Sequence, residues 1–142
     1  MKKTDLAYIA GIIDGEGYIG IAHRKTKHHG VYYSACVSVA MVEEYIGRWL
    51  QMSFGGSVCV QRARKKTHRD CYRWYITSKQ AVDFLQAVIP YLKIKRPQAE
   101  IAIKVEKLKP GYKKWSTPLE KYLQEIEARK LVNPRGQKSG PQ

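Results

Sequence analysis

The sequence predicts an α+β domain in which helices cover one face of a four-stranded antiparallel sheet. Three observations predict it. Apolar residues alternate with a period of two in four separate stretches, helical spacing precedes, separates and follows the strand pairs, and glycines, prolines or basic turns mark each change. The chain has 142 residues, 44% of them apolar, enough for one continuous core and too few for a second catalytic domain. We expect a single domain over residues 1–131 and a disordered tail over 132–142, where Gly, Pro and Gln displace the apolar pattern.

Thr4 and Asp5 offer N-terminal capping to a first helix, in which Leu6, Ile9 and Ile13 recur at helical spacing and which ends near Gly15 to Gly17. From residue 18 the pattern alternates, with Ile19 and Ile21 inward and Tyr18, Gly20, Ala22 and Arg24 outward. After the polar loop KTKHHG a second run turns Val31, Tyr33, Ala35, Val37 and Val39 inward, so the two runs form a hairpin. A second helix over residues 43–53 carries Tyr45, Ile46, Trp49 and Leu50 and stops before Gly55-Gly56. The strand pair then repeats. Residues 57–64 turn Val58 and Val60 inward, RKKTHRD makes a basic turn, and residues 71–77 turn Tyr72, Trp74 and Ile76 inward. Thr77 and Gln80 fit a capping box for a third helix through Val88, closed by Pro90. Pro97 opens a further helix with Ile101, Val105 and Leu108, ended by Pro110-Gly111. Thr117 to Glu120 is a second capping box, for a last helix carrying Leu119, Tyr122, Leu123 and Ile126.

Lys and Arg number 26 against 12 Asp and Glu, a formal charge of +14 that makes nucleic acid the first partner to consider. No apolar stretch approaches the roughly 18 residues of a membrane span, and the N-terminal apolar run ends in acids, so no membrane partner is expected and the chain reads as soluble and intracellular. Cys36, Cys59 and Cys71 are isolated and odd in number, which argues for reduced strand residues rather than a disulfide framework or metal site.

The positive charge is concentrated in the hairpins. Between Glu16 and Glu43 there is no acid, while Arg24, Lys25, Lys27 and three histidines fall in the first hairpin. The second holds Arg62, Arg64, Lys65, Lys66, Arg69 and Arg73 against Asp70 alone. Two basic β-ribbons on one sheet face can enter a DNA major groove, where every second side chain meets base edges. Outward parity nominates Arg24, Tyr32, Ser34, Ser38, Gln61, Arg73 and Tyr75 as readers of bases. Lys27, Arg64, Lys66 and Arg69, at the tips, are assigned to phosphates. The four histidines lack metal-ligand spacing.

On the first helix Ala7, Gly11 and Gly15 fall four residues apart and line one stripe. Glycine inside a helix costs about 1 kcal/mol relative to alanine, so a packing reason is needed, and the natural partner is the same helix of a second copy. Ala10 and Asp14 are assigned to that dimer interface too. Pairing the helices brings Asp14 and Glu16 of each subunit toward a common axis, where a carboxylate opposed by the helix dipole would welcome a cation.

The segment Ile9-Ala10-Gly11-Ile12-Ile13-Asp14-Gly15-Glu16-Gly17 resembles the LAGLIDADG motif of homing endonucleases, with Ile for Leu twice, Gly for Ala and Glu for the second Asp. The resemblance extends over roughly residues 4–108 and implies the αββαββα fold, its antiparallel sheet binding DNA and its helices on the other face. A single motif implies a homodimer that cuts double-stranded DNA at a long, near-palindromic site, in the manner of intron homing. Glu16 stands where the family's metal-binding acid stands, the Gly15 carbonyl resembles the adjacent ligand, and the metal is Mg²⁺, with Mn²⁺ as a substitute. Leu92 to Ala99 is similar to the segment that supplies a catalytic-pocket lysine, and Lys95 takes that place, with the role of polarising the attacking water or stabilising charge on the phosphate. The chain departs from the family at Val39-Ala40-Met41-Val42, where a polar residue that orders pocket waters is often found. The resemblance also places the protein in the cytoplasm, nucleoid or organelle of its element's host. The rival reading is a non-cleaving LAGLIDADG-derived RNA maturase or DNA-binding regulator, and RNA enters as a partner only there.

Overall fold

Helix α1 (Lys3–Glu16) buries Ile9, Ala10 and Ile13 and runs straight into strand β1 (Gly17–Thr26). Gly17 permits this junction, because a Cβ there would lie 2.8 Å from the Ile13 Cα. Strand β2 (Gly30–Met41) follows, then α2 (Glu44–Phe54), β3 (Ser57–Gln61), β4 (Cys71–Thr77), α3 (Ser78–Val88), a 3-10 turn (Ile89–Tyr91) and α4 (Arg96–Leu108). This computed structural model describes residues 1–27 and 30–108, and within them the side chains of 23–26, 30–32 and 108 lie outside the description.

All pairings are antiparallel and the strand order is β1-β2-β4-β3. The predicted alternation decides which face is buried. Ile19, Ile21, Ala35, Val37, Val39, Trp74 and Ile76 meet Ile9, Ile13, Leu50, Phe84, Leu85, Val88, Ala99 and Val105 of the helices in one core. Phe84 sits at its centre, with ring centroids 4.8 Å from Phe54 and 5.1 Å from Trp74, both edge to face. The Trp74 indole N–H donates to the Gly55 carbonyl at 2.9 Å, which fastens the turn after α2 to the sheet. Gly55 and Gly56 both take positive φ (79° and 88°), and a Cβ on Gly56 would lie 2.2 Å from the Ile76 Cγ2.

Several local expectations change in the folded chain. Thr4 and Asp5 lie inside the first turn of α1, whose N-cap is Lys2 with no side-chain cap, so Asp5 acts through the helix dipole. Thr77 does precede α3 but its side chain makes no capping bond, and Ser78 takes a φ of 53°. Strand β3 stops at Gln61 instead of reaching residue 64, because Asp70 draws the chain away: its carboxylate accepts the Ala63 N–H at 2.7 Å and faces the Arg62 guanidinium at 3.6 Å. Val60, inward by parity, is exposed on this edge strand. On the other side of the sheet β4 ends opposite Cys36, and α4 satisfies the next backbone N–H, that of Ala35, with the Glu106 carboxylate at 2.9 Å. The capping box at Thr117 to Glu120, the helix after it and the tail over 132–142 lie outside the described residues. Among the described residues no helix is long and apolar enough to cross a membrane.

Candidate active site and nucleic-acid interface

Two helix ends of opposite polarity meet at the motif. The last turn of α1 contains Asp14 and Glu16 and no basic residue, so its own sequence opposes the negative pole of the helix. Folding corrects this with an exchange of side chains. The Asp14 carboxylate, only 8% exposed, accepts the backbone N–H groups of Lys93 (2.8 Å), Ile94 (3.2 Å) and Lys95 (3.0 Å), the donors that lead into the positive end of α4. In return Lys95, 4% exposed, donates its ammonium to the Ile13 carbonyl at 2.9 Å and to the Gly17 carbonyl. Lys95 is itself the residue whose carbonyl accepts the Ala99 N–H in the first turn of α4. Glu16 stands just outside this exchange, exposed at the last position of α1.

This geometry corrects one expectation, that Asp14 and Ala10 belong to the dimer interface. Asp14 faces inward, toward the residues that precede α4, and Ala10 is enclosed in the core, so neither presents a side chain to a second copy. Lys95 lies beside the motif, with its ammonium bonded to two backbone carbonyls at the end of α1. The locally unfavourable acid at the helix end was the signal in the sequence for the Asp14 contact. Its partners, three backbone N–H groups 79 to 81 residues away, carry no side-chain signature.

Ala7, Gly11 and Gly15 do share one side of α1; Ala7 and Gly11 are exposed and Gly15 is half-buried. A Cβ built on Gly11 meets nothing within 4 Å, so no contact among the described residues requires glycine there. Beside the stripe lies a feature that periodicity alone did not single out, an aromatic row in which Trp49 stands between Tyr8 (6.2 Å) and Tyr45 (6.4 Å).

The sheet face opposite the helices combines a recessed centre with a basic margin. In register across it, Tyr18, Ser38, Tyr75 and Ser57 form one row, Gly20, Cys36 and Thr77 a second, and Ala40, Arg73 and Cys59 a third. Ser34 and Ser38, nominated as base readers, are 7% and 5% exposed: small side chains on an inner strand sit below the level of their larger neighbours. Tyr18, omitted from that set although its parity pointed outward, is exposed, and its phenol lies over Gly20. Arg73 and Gln61 are exposed and Tyr75 is half-buried. Lys27, Arg64, Lys66 and Arg69 are exposed at the hairpin tips, while Arg24 and Tyr32 pair across the first hairpin with side chains outside the described set.

The donors near the motif suit a hard divalent cation. Mg²⁺ is commonly held by one or two carboxylates, with water and phosphate oxygens completing its shell. Glu16 offers an exposed carboxylate, and Gly15 precedes it in the same last turn. Among the described residues no cluster of three or more His, Cys, Asp or Glu side chains could enclose a metal by itself.

No family model matches the sequence. Solved structures match the fold over most of its length. The homing endonuclease I-CvuI in complex with the I-CreI target in 2 mM Mg, with DNA not cleaved, aligns with a TM-score of 0.67 at 18% identity, covering 99% of this chain and 86% of that one. The archaeal intron-encoded homing endonuclease I-Vdi141I, complexed with DNA, aligns at 0.61 and 15% identity over 92% of this chain and 99% of that one. The LAGLIDADG homing endonuclease I-SmaMI, bound to cleaved DNA, aligns at 0.62 and 19% identity over 90% of this chain and 48% of that one. The chain has the LAGLIDADG homing endonuclease fold, and it spans about half the length of I-SmaMI.

Proposed function

We propose that this protein is a site-specific DNA endonuclease that acts as a homodimer, hydrolysing both strands of a long pseudo-palindromic site with a divalent metal. The observation that carries the reading is the pairing, on α1, of a small-residue stripe, in which Gly11 meets nothing among the described residues that requires glycine, with an exposed acid at the end of the same helix. Two copies packed along Ala7, Gly11 and Gly15 would bring two Glu16 carboxylates to one axis, one for each strand. The fold is shared with proteins solved in complex with DNA, in one case with Mg and in another with Ca.

In this reading the chain's residues divide the work by position. The tip cations Lys27, Arg64, Lys66 and Arg69 hold phosphates and set the register of the sheet on the duplex. Arg73, Gln61, Tyr75 and Tyr18 project where base edges would pass, and Arg73 is suited to guanine. Glu16 and the Gly15 carbonyl would hold the metal against the scissile phosphate. The bound ion supplies Lewis-acid activation of water and of the leaving oxygen. Mg²⁺ is the proposed physiological ion, with Mn²⁺ a working substitute.

One pair of observations favours a second reading, the non-cleaving regulator or RNA maturase. Lys95 is occupied by backbone carbonyls, and residues 39–42 hold no amide side chain to order pocket waters. A cleavage selection on a randomised duplex library separates the readings. The endonuclease recovers one pseudo-palindromic site, cut in Mg²⁺, uncut in Ca²⁺ and uncut by Glu16→Gln. Enrichment of bound duplexes without cutting supports the regulator, and tighter binding to structured RNA than to duplex DNA at equal salt supports the maturase.

A further inference from the structure

The reciprocal contacts between α1 and the start of α4 have a consequence for the metal site, and it rests on the reading of Glu16 as a metal ligand. We propose that Lys95 is a positioning residue that sets the geometry at which Glu16 presents its carboxylate to a divalent cation, and that it does not act on the phosphate or on the attacking water. Its ammonium bonds to the carbonyls of Ile13 and Gly17, which bracket Asp14, Gly15 and Glu16. Within that bracket Asp14 is bound to three backbone N–H groups of residues 93–95. The short segment carrying Glu16 is thus tied at both ends and in its middle to one stretch of chain.

Two of the three ammonium donors are committed to these carbonyls, in a setting where Lys95 is almost wholly removed from water and α1 has no basic residue of its own in its last turn. Groups that orient a metal ligand without touching the metal commonly change its affinity tenfold to a hundredfold. A residue that polarises water would change the rate constant and leave affinity alone.

Tb³⁺, a hard cation that favours oxygen ligands, probes this in the full-length protein without requiring cleavage. Luminescence titration of the wild type, with Glu16→Gln subtracted as background, measures the site. Lys95→Met is expected to weaken Tb³⁺ binding by about tenfold. In cleavage assays its loss is expected to appear in the Mg²⁺ concentration needed for half-maximal rate, with the rate at saturating Mg²⁺ mostly restored. Unchanged Tb³⁺ affinity in a folded Lys95→Met protein, or a lower saturated rate at unchanged Mg²⁺ dependence, overturns the proposal.

A second measurement needs no variant and decides the matter if Lys95→Met fails to fold. In ¹⁵N-lysine-labelled wild type the Lys95 ammonium protons should exchange with water far more slowly than those of the other lysines, and should remain slow when the metal is added. Exchange as fast as at a surface lysine, or release on metal binding, overturns it. Weakened Tb³⁺ binding supports the positioning role whether or not the wild type cuts DNA, whereas a wild type that cuts nothing overturns only the nuclease reading.

Discussion

Asp14 illustrates how one side chain can be costly locally and stabilising in the fold. Near the C-terminus of α1 its charge is opposed by the helix dipole, yet its carboxylate satisfies three N–H groups, that of Lys95 buried and those of Lys93 and Ile94 part-buried. Replacing Asp14 with Ala breaks all three hydrogen bonds at once and should destabilise the protein by about 3 kcal/mol or more, on the scale of a broken buried charge contact. Urea unfolding with an unchanged m-value would measure it, and a loss below about 1 kcal/mol would mean the contact is replaceable by water. Glu16, two residues on, is exposed and should behave oppositely. Glu16→Gln should leave the urea midpoint within experimental scatter while abolishing cleavage in Mg²⁺ and sparing DNA binding. Cutting at the wild-type rate by that variant would refute the assignment of the metal ligand.

At the level of the helix, α1 has two faces with different obligations. Ile9, Ala10 and Ile13 pack inward and explain themselves, whereas Gly11 faces outward with room for a side chain. A glycine there lowers helix stability by about 1 kcal/mol relative to alanine, and no contact among the described residues offsets this. Gly11→Ala should therefore raise the unfolding free energy of the isolated monomer slightly while weakening the dimer. Gly11→Leu should leave a folded monomer, seen by sedimentation velocity at micromolar concentration. Dimers that persist with leucine would place the interface elsewhere, and the Tyr8-Trp49-Tyr45 row would be the next surface to substitute.

For the molecule as a whole, the helices and core face one side of the sheet and the basic hairpins serve the other, so affinity for DNA should be strongly salt-dependent. Each phosphate contact contributes about 0.9 to the slope of log K against log salt. Replacing both Arg64 and Lys66 with Ala removes two contacts from a monomer and four from a homodimer. The slope should accordingly fall by about two or by about four, and the larger value is expected here. Binding should weaken uniformly across sequences in that variant. Arg73→Ala should instead relax preference at one position per half-site by about 1–3 kcal/mol, measured by competition between duplexes.

Alternation and helical spacing act between neighbours in the chain, so they were sufficient to indicate the four strands, the buried parity of Ile19, Val37, Trp74 and Ile76, and the order of the elements. The resemblance of residues 9–17 to a known motif singled out Glu16, and that of residues 92–99 to a second segment singled out Lys95, by the same local means. Three matters depended on residues distant in sequence and became visible only on folding. Ser34 and Ser38 have the parity of base readers but are recessed on an inner strand, a matter of how tall their neighbours are. Asp14 and Ala10 point inward because α1 packs on its own sheet and against the start of α4, which the four-residue spacing of its glycines does not encode. Lys95 found its acceptors at residues 13 and 17, across about 80 residues of chain. Where an ammonium points is settled by which carbonyls with acceptor capacity to spare the fold brings within reach, and the end of a helix is where such carbonyls are found.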